Sequence, residues 1–263
     1  MININKKHKT KTGLLLSKYG HNFAFMQYYQ RSSIKKPTVQ IRRSSYPEDW
    51  KRIFFKTYPR FRKVKIKHFK NDNLIKIINK RKSERNFNEY KIDLKEIFYI
   101  FRGCAINRII RNDLYYNSYR AYPSAGARYP LEIYLFVLFS RNKELNRGIY
   151  HYNVKENCLE YMWDFSIKNL KKIFGNQKFV LKSSLIFVVT ADMKRGISKY
   201  KERYFRLVLL EAGHLVQNFI LLATNINLKT CPVGGFIEKD LLKILDIKEI
   251  ELEIPIYALA IGK

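Results

Sequence analysis

The sequence has few cysteines and none of the spacings that disulfide frameworks or zinc sites require. Its 263 residues include Cys104, Cys158 and Cys231, an odd number without a CxxC pair. The five histidines form no HExxH motif, so we predict no bound metal. Cysteines without a pairing pattern are typical of proteins in a reducing compartment, and we therefore expect a cytoplasmic protein.

Long hydrophobic runs are also lacking. Residues 131–139 are apolar, but they are too few to cross a bilayer, and they fit a buried strand. We therefore expect no membrane-spanning segment. Hydrophobic residues make up 46% of the chain and aromatic residues 15%, which is enough for the core of one α/β domain or two small ones.

Acidic residues are absent from residues 1–47, where the first part of the chain is strongly basic. A leader of this kind fits either an organelle transit peptide or a solvated, partly disordered arm. We favour the arm because lysine outnumbers arginine there and no cleavage pattern is clear. The predicted organisation is a basic N-terminal arm over residues 1–46 and a folded domain over residues 47–263.

The scarcity of acids extends to the whole chain, which has 51 Lys and Arg against 22 Asp and Glu and a net charge of +29. Such a charge fits nucleic-acid binding, recognition of an acidic partner or anionic cofactor, or a coding bias towards lysine and asparagine. The basic residues are scattered, and no RNA-binding or DNA-binding motif accompanies them. We therefore favour the coding bias and do not expect a nucleic-acid partner.

Hydrophobic periodicity and capping signals predict a mixture of helices and strands. Asp93 followed by Glu96 is typical of a helix N-terminus, and residues 205–223 carry a wide apolar stripe that fits a buried central helix or a subunit interface. Because the elements do not follow a strict βαβ alternation, we predict the α+β class. The predicted helices are 73–79, 94–103, 166–174, 202–225 and 238–245; the predicted strands are 133–139, 148–154, 158–163, 184–190 and 254–261, with a turn at 232–236.

One loop consists of small and turn-forming residues and leads directly into a predicted buried strand. It contains Pro123, Ser124, Ala125 and Gly126, and Pro130 follows shortly after. Small side chains allow close approach to the backbone, and proline stiffens a turn by fixing its own backbone angle. A rigid loop of this kind is a suitable place to hold a flat cofactor.

Three further segments carry polar groups that a ligand would use. Arg81, Ser83 and Arg85 alternate, so their side chains share one side of an extended segment and suit a phosphate, although basic surfaces often contain this pattern. The amides of Gln217 and Asn218 lie inside an apolar helix, where they must find partners in another loop or in a bound ring system. Gly234 and Gly235 can present free backbone amides to a ligand, or they can form an ordinary turn.

Taken in order, these segments resemble the nitroreductase superfamily. The order is RxSxR, PSAGARYPLEIY, the Lys199-Tyr200 pair, EAGHLVQNFILLA and PVGGF, followed by a final strand. Within the superfamily, the chain most resembles the SagB-type branch, the flavin-dependent azoline dehydrogenases of thiazole and oxazole peptide biosynthesis. The resemblance extends from about Tyr46 to Lys263.

The resemblance implies an α+β flavoprotein with a mostly antiparallel central sheet flanked by helices, and an obligate homodimer with FMN at the dimer interface. Arg81, Ser83 and Arg85 would hold the phosphate and ribityl chain. The remaining cofactor residues would contact the flavin ring system. They are Pro123, Ser124, Ala125 and Gly126 on the loop and Gln217 and Asn218 on the long helix. Gly234 and Gly235 would lie near the reactive ring nitrogen.

The resemblance also implies a reaction. Lys199 and Tyr200 match a catalytic pair of the azoline dehydrogenases, with Lys199 as the base that takes a proton from the azoline. The expected function is oxidation of peptide thiazolines and oxazolines to thiazoles and oxazoles, with a cyclodehydratase and a precursor peptide as partners. Two alternatives stay open: an NAD(P)H-dependent enzyme that reduces nitro compounds, quinones or flavins, and a basic binding protein with a chemically idle fold.

Overall fold

The computed structural model describes residues 32–33, 55–66, 72–109, 118–175, 177–248 and 253–263. The predicted boundary between arm and domain, at residue 47, lies outside these ranges. Two short 3₁₀ turns occur at Ala125–Ala127 and Lys178–Lys182. In chain order the helices and strands are α1 (Asn73–Lys80), α2 (Leu94–Phe101), β1 (Ile106–Ile109), β2 (Ser118–Arg120), β3 (Leu131–Val137), β4 (Gly148–Asn153), β5 (Cys158–Trp163), α3 (Ile167–Phe174), β6 (Leu185–Asp192), α4 (Lys194–Tyr200), α5 (Arg203–Asn225), β7 (Lys229–Val233), α6 (Glu238–Ile244) and β8 (Glu253–Gly262).

Local capping residues set the starts of several helices. Asp93 and Glu96 form a complete capping box at the start of α2, as the sequence predicts. Asp72 and Ser166 accept hydrogen bonds from the first free amides of α1 and α3, and Gly175 ends α3 with a positive φ of 54°. These contacts satisfy backbone donors that a helix leaves open at its N-terminus.

A six-stranded sheet in the order β5-β4-β3-β6-β8-β7 forms the centre of the molecule. Every pair of neighbouring strands in it is antiparallel. A separate two-stranded sheet consists of β1 and β2. The predicted α+β class, with an antiparallel central sheet flanked by helices, is confirmed.

Helices cover both faces of the sheet because side chains alternate along its strands. Residues 131, 133, 135 and 137 of β3 join a cluster with α2 and α5, whereas Tyr134 and Phe136 join a second cluster with α3 and α6. Strand β3 therefore has core on both sides, which explains its continuous apolar sequence.

Helix α5 is the longest described element, and its apolar character bears on the prediction that the chain has no membrane-spanning segment. By length and composition alone it is long and apolar enough to cross a membrane. Ten of its side chains are buried in this fold, among them Val208, Leu215 and Phe219. A central core helix meets the same length and hydropathy criteria, and we assign α5 to that class.

The secondary-structure predictions missed four elements. Pro232 and Val233, predicted as part of a turn, belong to strand β7, where Pro232 pairs with Leu259 of β8. Strand β7 is at the edge of the sheet, where proline is tolerated because an edge strand needs ladder hydrogen bonds on one side only. The short helix α4 and the small strands β1 and β2 were also not predicted.

Candidate functional site

The small-residue loop between β2 and β3 has an unusual backbone that is held by specific contacts. Gly126, Ala127 and Tyr129 all have positive φ, at 61°, 51° and 45°. The Tyr129 amide donates to the Ser124 hydroxyl at 2.8 Å, and the Arg120 amide donates to the Tyr129 hydroxyl at 3.1 Å. These bonds keep the loop in a conformation that L-residues seldom adopt.

The predicted catalytic pair lies directly against this loop. A Cβ atom placed on Gly126 would be 2.5 Å from the Tyr200 hydroxyl oxygen and 3.4 Å from Nζ of Lys199. Lys199 Nζ also lies 5.2 Å from the centre of the Tyr200 ring. Glycine is therefore the residue that fits at position 126, and two predicted site segments that are more than seventy residues apart meet there.

Lys199 is exposed in the single chain, and Tyr200 is half-buried. Tyr200 stacks on Tyr204, with 5.8 Å between ring centres, and Tyr204 packs against Gly196 so closely that a Cβ there would overlap its ring. Helix α4, which carries the pair, is thereby fixed to the start of α5.

Glu211 is a buried acid beneath the loop, and it was not predicted as a site residue. Its side chain lies on α5 and is 3% exposed, and neither carboxyl oxygen has a well-formed hydrogen bond within the described residues. Burial raises the pKa of Glu211 to about 7, although the Ser124 hydroxyl, Arg120 and the Ala125 amide lower it in part. The motif EAGHLVQN contained this residue, but nothing in the sequence indicated that its side chain turns inward.

The RxSxR segment lies beside strand β7. Ser83 forms a parallel bridge with Thr230, and the Glu84 amide donates to the Thr230 carbonyl at 2.8 Å. Arg81 Nη1 donates to the Ser83 hydroxyl at 3.3 Å, whereas the Arg85 guanidinium lies 5.9 Å from the centre of the Phe179 ring. Arg81 and Ser83 thus come together, while Arg85 points towards an aromatic neighbour.

Gly234 and Gly235 follow the end of β7, so they share this edge of the sheet with the RxSxR segment. A Cβ on Gly234 would meet no atom of the described chain within 4 Å. The Gly235 carbonyl accepts a hydrogen bond from the Gln177 side chain. The open space at Gly234 permits close approach of a ligand.

The two amides of α5 have different surroundings. Asn218 Nδ2 donates to the carbonyl oxygens of Gly103 and Ala121, each at 3.1 Å, so it ties α5 to the residue before Tyr122 and the loop. Gln217 is exposed on the outer face of the helix. Asn218 therefore has partners within the chain, which was one of the two predicted possibilities, and Gln217 is available to a ligand or a partner.

Helix α5 contacts the loop turn, strand β7, helix α1 and helix α4, so the loop, the helix of the Lys199-Tyr200 pair and the elements next to the RxSxR and glycine segments border one helix. A polar cavity of about 510 Å³ lies elsewhere, and it contains none of the predicted site residues. Its lining combines residues of α3, α6 and the end of β5, including Trp163, Lys172 and Asp240. The candidate site is consequently an open surface around α5 in the single chain.

The profile of the nitroreductase family matches residues 78–263, which include the loop, α4, α5 and β7. The chain belongs to the nitroreductase family. Nitroreductase MJ1384 of Methanocaldococcus jannaschii is 30% identical over 180 residues, which are 67% of this chain and 85% of that protein. The family resemblance read from the motifs is therefore confirmed, and the protein is an oxidoreductase by family.

Peptide-processing proteins are also among the relatives of this nitroreductase-family chain. The microcin B17-processing protein McbC of Escherichia coli is 28% identical over 134 residues, which are 49% of this chain and 49% of that protein. A structure of the E. coli microcin synthetase McbBCD complex with truncated pro-MccB17 bound has the same fold, with a TM-score of 0.73 and 19% identity over 98% of this chain and 99% of that one. These relatives support the SagB-type branch.

Proposed function

We propose that this protein is an FMN-dependent dehydrogenase that oxidises peptide thiazolines and oxazolines to thiazoles and oxazoles. The observation that carries the proposal is the contact between the Lys199-Tyr200 pair and Gly126 of the small-residue loop. A base beside an exposed loop of small residues is an arrangement that suits proton removal from a ring next to a flavin. Similarity to the microcin B17-processing protein McbC favours a peptide substrate.

The residues around α5 fit FMN. Arg81 with the Ser83 hydroxyl would bind the phosphate, since a guanidinium offers paired donors to phosphate oxygens. The exposed, side-chain-poor surface at Pro123, Gly126 and Gly234 would accept a planar ring system. When bound, FMN would accept the hydride that leaves one carbon of the azoline ring.

Lys199 would take the proton from the neighbouring ring carbon, and Tyr200 would orient the lysine. Removal of this proton and of the hydride accounts for both hydrogens and both electrons lost when an azoline becomes an azole. Oxygen or another acceptor would then return the flavin to its oxidised form. Lys199 is exposed in the single chain, so a second subunit or the substrate would have to exclude water from it.

We further propose that the protein is a homodimer and that FMN lies at its interface. The outer face of α5 exposes Leu209 and Leu210, at 43% and 57%, and the predicted cofactor contact Gln217 lies on the same face two turns after Leu210. A second copy packed on this face would cover the leucines and complete the cradle from the other side.

A cyclodehydratase and a precursor peptide are the proposed partners. The structural likeness to a microcin synthetase complex with a bound pro-peptide supports this assignment. The net charge of +29 would attract an acidic leader segment, and the association rate would then fall as salt is added.

The visible spectrum of the purified protein tests the cofactor, and the Lys199→Ala variant tests the base. We expect flavin bands, with FMN released on denaturation, and we expect Lys199→Ala to keep the bands but lose azole formation. Lys201→Ala, which removes the next exposed lysine, should keep both. Rapid bleaching of the bound flavin by NADPH without azole formation would instead favour an NAD(P)H-dependent reductase. A colourless protein that takes up no added FMN would refute the proposal.

A further inference from the structure

Arg195, in the first turn of α4, connects three parts of the chain. Its Nη1 donates to the Tyr129 carbonyl oxygen at 2.7 Å, and its Nη2 donates to Oε1 of Glu132 on strand β3. Its Nε lies 3.4 Å from Oδ2 of Asp192, the last residue of β6. One guanidinium therefore joins the end of the small-residue loop, the central strand after it, and the helix that carries Lys199 and Tyr200.

Both structures that Arg195 joins need outside support. Helix α4 has seven residues, and a helix of that length is not stable by itself in water. Tyr129 is a bulky residue with a φ of 45°, a conformation that costs energy and persists only where surrounding contacts fix it. The Arg195–Tyr129 hydrogen bond therefore ties a short helix to a strained loop end.

Glu132 is held from two sides, so it forms a firm anchor for Arg195. Its second carboxyl oxygen, Oε2, lies 3.0 Å from Nε2 of His151 on β4, and the other nitrogen of that ring, Nδ1, lies 2.8 Å from Glu160 on β5. Although burial alone would raise it, the pKa of Glu132 is lowered by the hydrogen bond from His151 and by the charge of Arg195. The same carboxylates raise the pKa of His151.

The chain of contacts crosses the sheet. Ile197 and Tyr200 of α4 pack against the cluster on the α5 face, whereas Glu132 and His151 lie on the other face with Tyr134, whose ring is 5.3 Å from the imidazole. Arg195 therefore reaches past the end of the sheet and fixes α4 to both faces. The hydrogen bonds and ion pairs of Arg195, Glu132 and His151 include no residue assigned above to cofactor or substrate.

We propose that Arg195 is a positioning residue for the reaction: anchored by Glu132 and, through it, by His151, its guanidinium holds the Lys199-Tyr200 pair against the small-residue loop. This inference rests on the proposed function for its effect on turnover, but the holding contact itself does not. A displacement of about 1 Å at a catalytic group lowers turnover by up to about a hundredfold, so loss of the contact would be measurable.

The Arg195→Lys variant tests the contact because it keeps the charge. An ammonium group cannot reach the Tyr129 carbonyl and Glu132 with two fixed donors, as a guanidinium does. We expect kcat for azoline oxidation to fall by about tenfold or more, with KM and FMN content nearly unchanged. We also expect faster hydrogen exchange of the α4 amides in this variant. This exchange can be measured with or without substrate. The matched control is Arg141→Lys, which alters an arginine bound to Tyr90 and Lys91 and should leave both readouts unchanged.

A second variant, His151→Gln, tests the anchor at a side chain that is 26% exposed. The groups that face His151 are Glu132 from β3 and Glu160 from β5, with the Tyr134 ring beside it. A protonated imidazole donates through both ring nitrogens, to Glu132 and to Glu160, whereas the neutral ring donates through only one of them. The hold on Glu132 is therefore weaker in the neutral ring, and α4 protection in the parent protein should decline as pH rises through the raised pKa of His151. In the His151→Gln variant this pH-dependent step should be absent.

The outcomes separate the two claims. Slower turnover with retained FMN and faster α4 exchange in Arg195→Lys, together with loss of the pH-dependent step in His151→Gln, would support the inference. Unchanged α4 exchange in both variants would overturn it. If the parent protein binds FMN but does not oxidise azolines, the proposed function fails, and the exchange measurements alone still decide whether Arg195 holds α4.

Discussion

Single buried residues set much of the chemistry around the loop, and Glu211 is the clearest case. A carboxyl group removed from water favours its neutral form, and Arg120 offsets this only in part, so its pKa is raised to about 7. The Ser124 hydroxyl and the Ala125 amide of the loop are its neighbours. The folded protein therefore holds a proton at Glu211 that the unfolded chain would release in mildly acidic solution.

The Glu211→Gln variant should consequently change the pH dependence of stability. With a raised pKa, Glu211 binds its proton more tightly in the folded state, so its stabilising contribution is complete below the ordinary glutamate pKa and is lost as pH rises to about 7. Above that pH, the free energy of unfolding of the variant should exceed that of the parent by up to about 3 kcal/mol.

Urea unfolding at about pH 5 and about pH 8 measures this difference. The exposed Glu144→Gln provides the control, since its side chain is already in water. Parallel pH profiles of unfolding free energy for the Glu211→Gln variant and the parent protein would show that the pKa of Glu211 is not raised in the folded state.

Residue-scale contacts across the sheet were beyond prediction from sequence. Glu132, His151 and Arg195 come together because β3 and β4 pair with Tyr134 opposite His151, and because α4 follows directly after β6. A shift of one residue in that register would place Glu132 and His151 on opposite faces. By contrast, the loop could be chosen from its residue types and the Lys199-Tyr200 pair from the family resemblance, although their contact at Gly126 could not be predicted.

At the scale of elements, prediction succeeded where a segment has its own periodicity or cap. The capping box of α2, the boundaries of α3 and the extent of α5 follow from local sequence. It failed where tertiary contacts decide the outcome, as at Pro232 in the edge strand β7. Helix α4 has no apolar periodicity because Lys194 and Lys199 are exposed, Arg195 bonds to Glu132, and Gly196 faces Tyr204.

Gly196 sets how closely α4 can approach α5, and its replacement by alanine should separate the two helices. An added methyl group would overlap the Tyr204 ring, and overpacking of this kind costs about 1–3 kcal/mol. We expect Gly196→Ala to lower the midpoint of thermal unfolding and to slow azole formation, because Lys199 and Tyr200 move with the helix.

The exposed Ser198→Ala on the same helix should change stability by less than about 0.5 kcal/mol. Equal stabilities of the Gly196→Ala and Ser198→Ala variants would contradict the close packing of Tyr204 on α4.

At the scale of the whole molecule, Leu209 and Leu210 on the outer face of α5 are among the large apolar side chains that a single chain leaves exposed in the described residues. The Leu210→Glu variant would place a charge in the proposed interface between subunits, where burial of an ion without a partner is costly. We expect sedimentation velocity to show a monomer for this variant and a dimer for the parent, and we expect the variant to lose FMN on gel filtration.

Tyr161→Glu is the control, because Tyr161 is an exposed side chain of the edge strand β5 at the other end of the sheet from β7. This variant should leave the dimer intact. A parent protein that sediments as a monomer with bound FMN would remove the basis for a shared site.

The position of β8 has a consequence for synthesis on the ribosome. Strand β8 lies between β6 and β7 in the sheet, yet it follows both of them in the chain. A nascent chain can assemble β3, β4, β5 and β6 as they emerge, but β7 has its ladder with β8 alone among the strands of this sheet. The edge that carries the RxSxR contact and the two glycines therefore forms only after β8 has been translated, and binding of the proposed flavin there would have to follow that step.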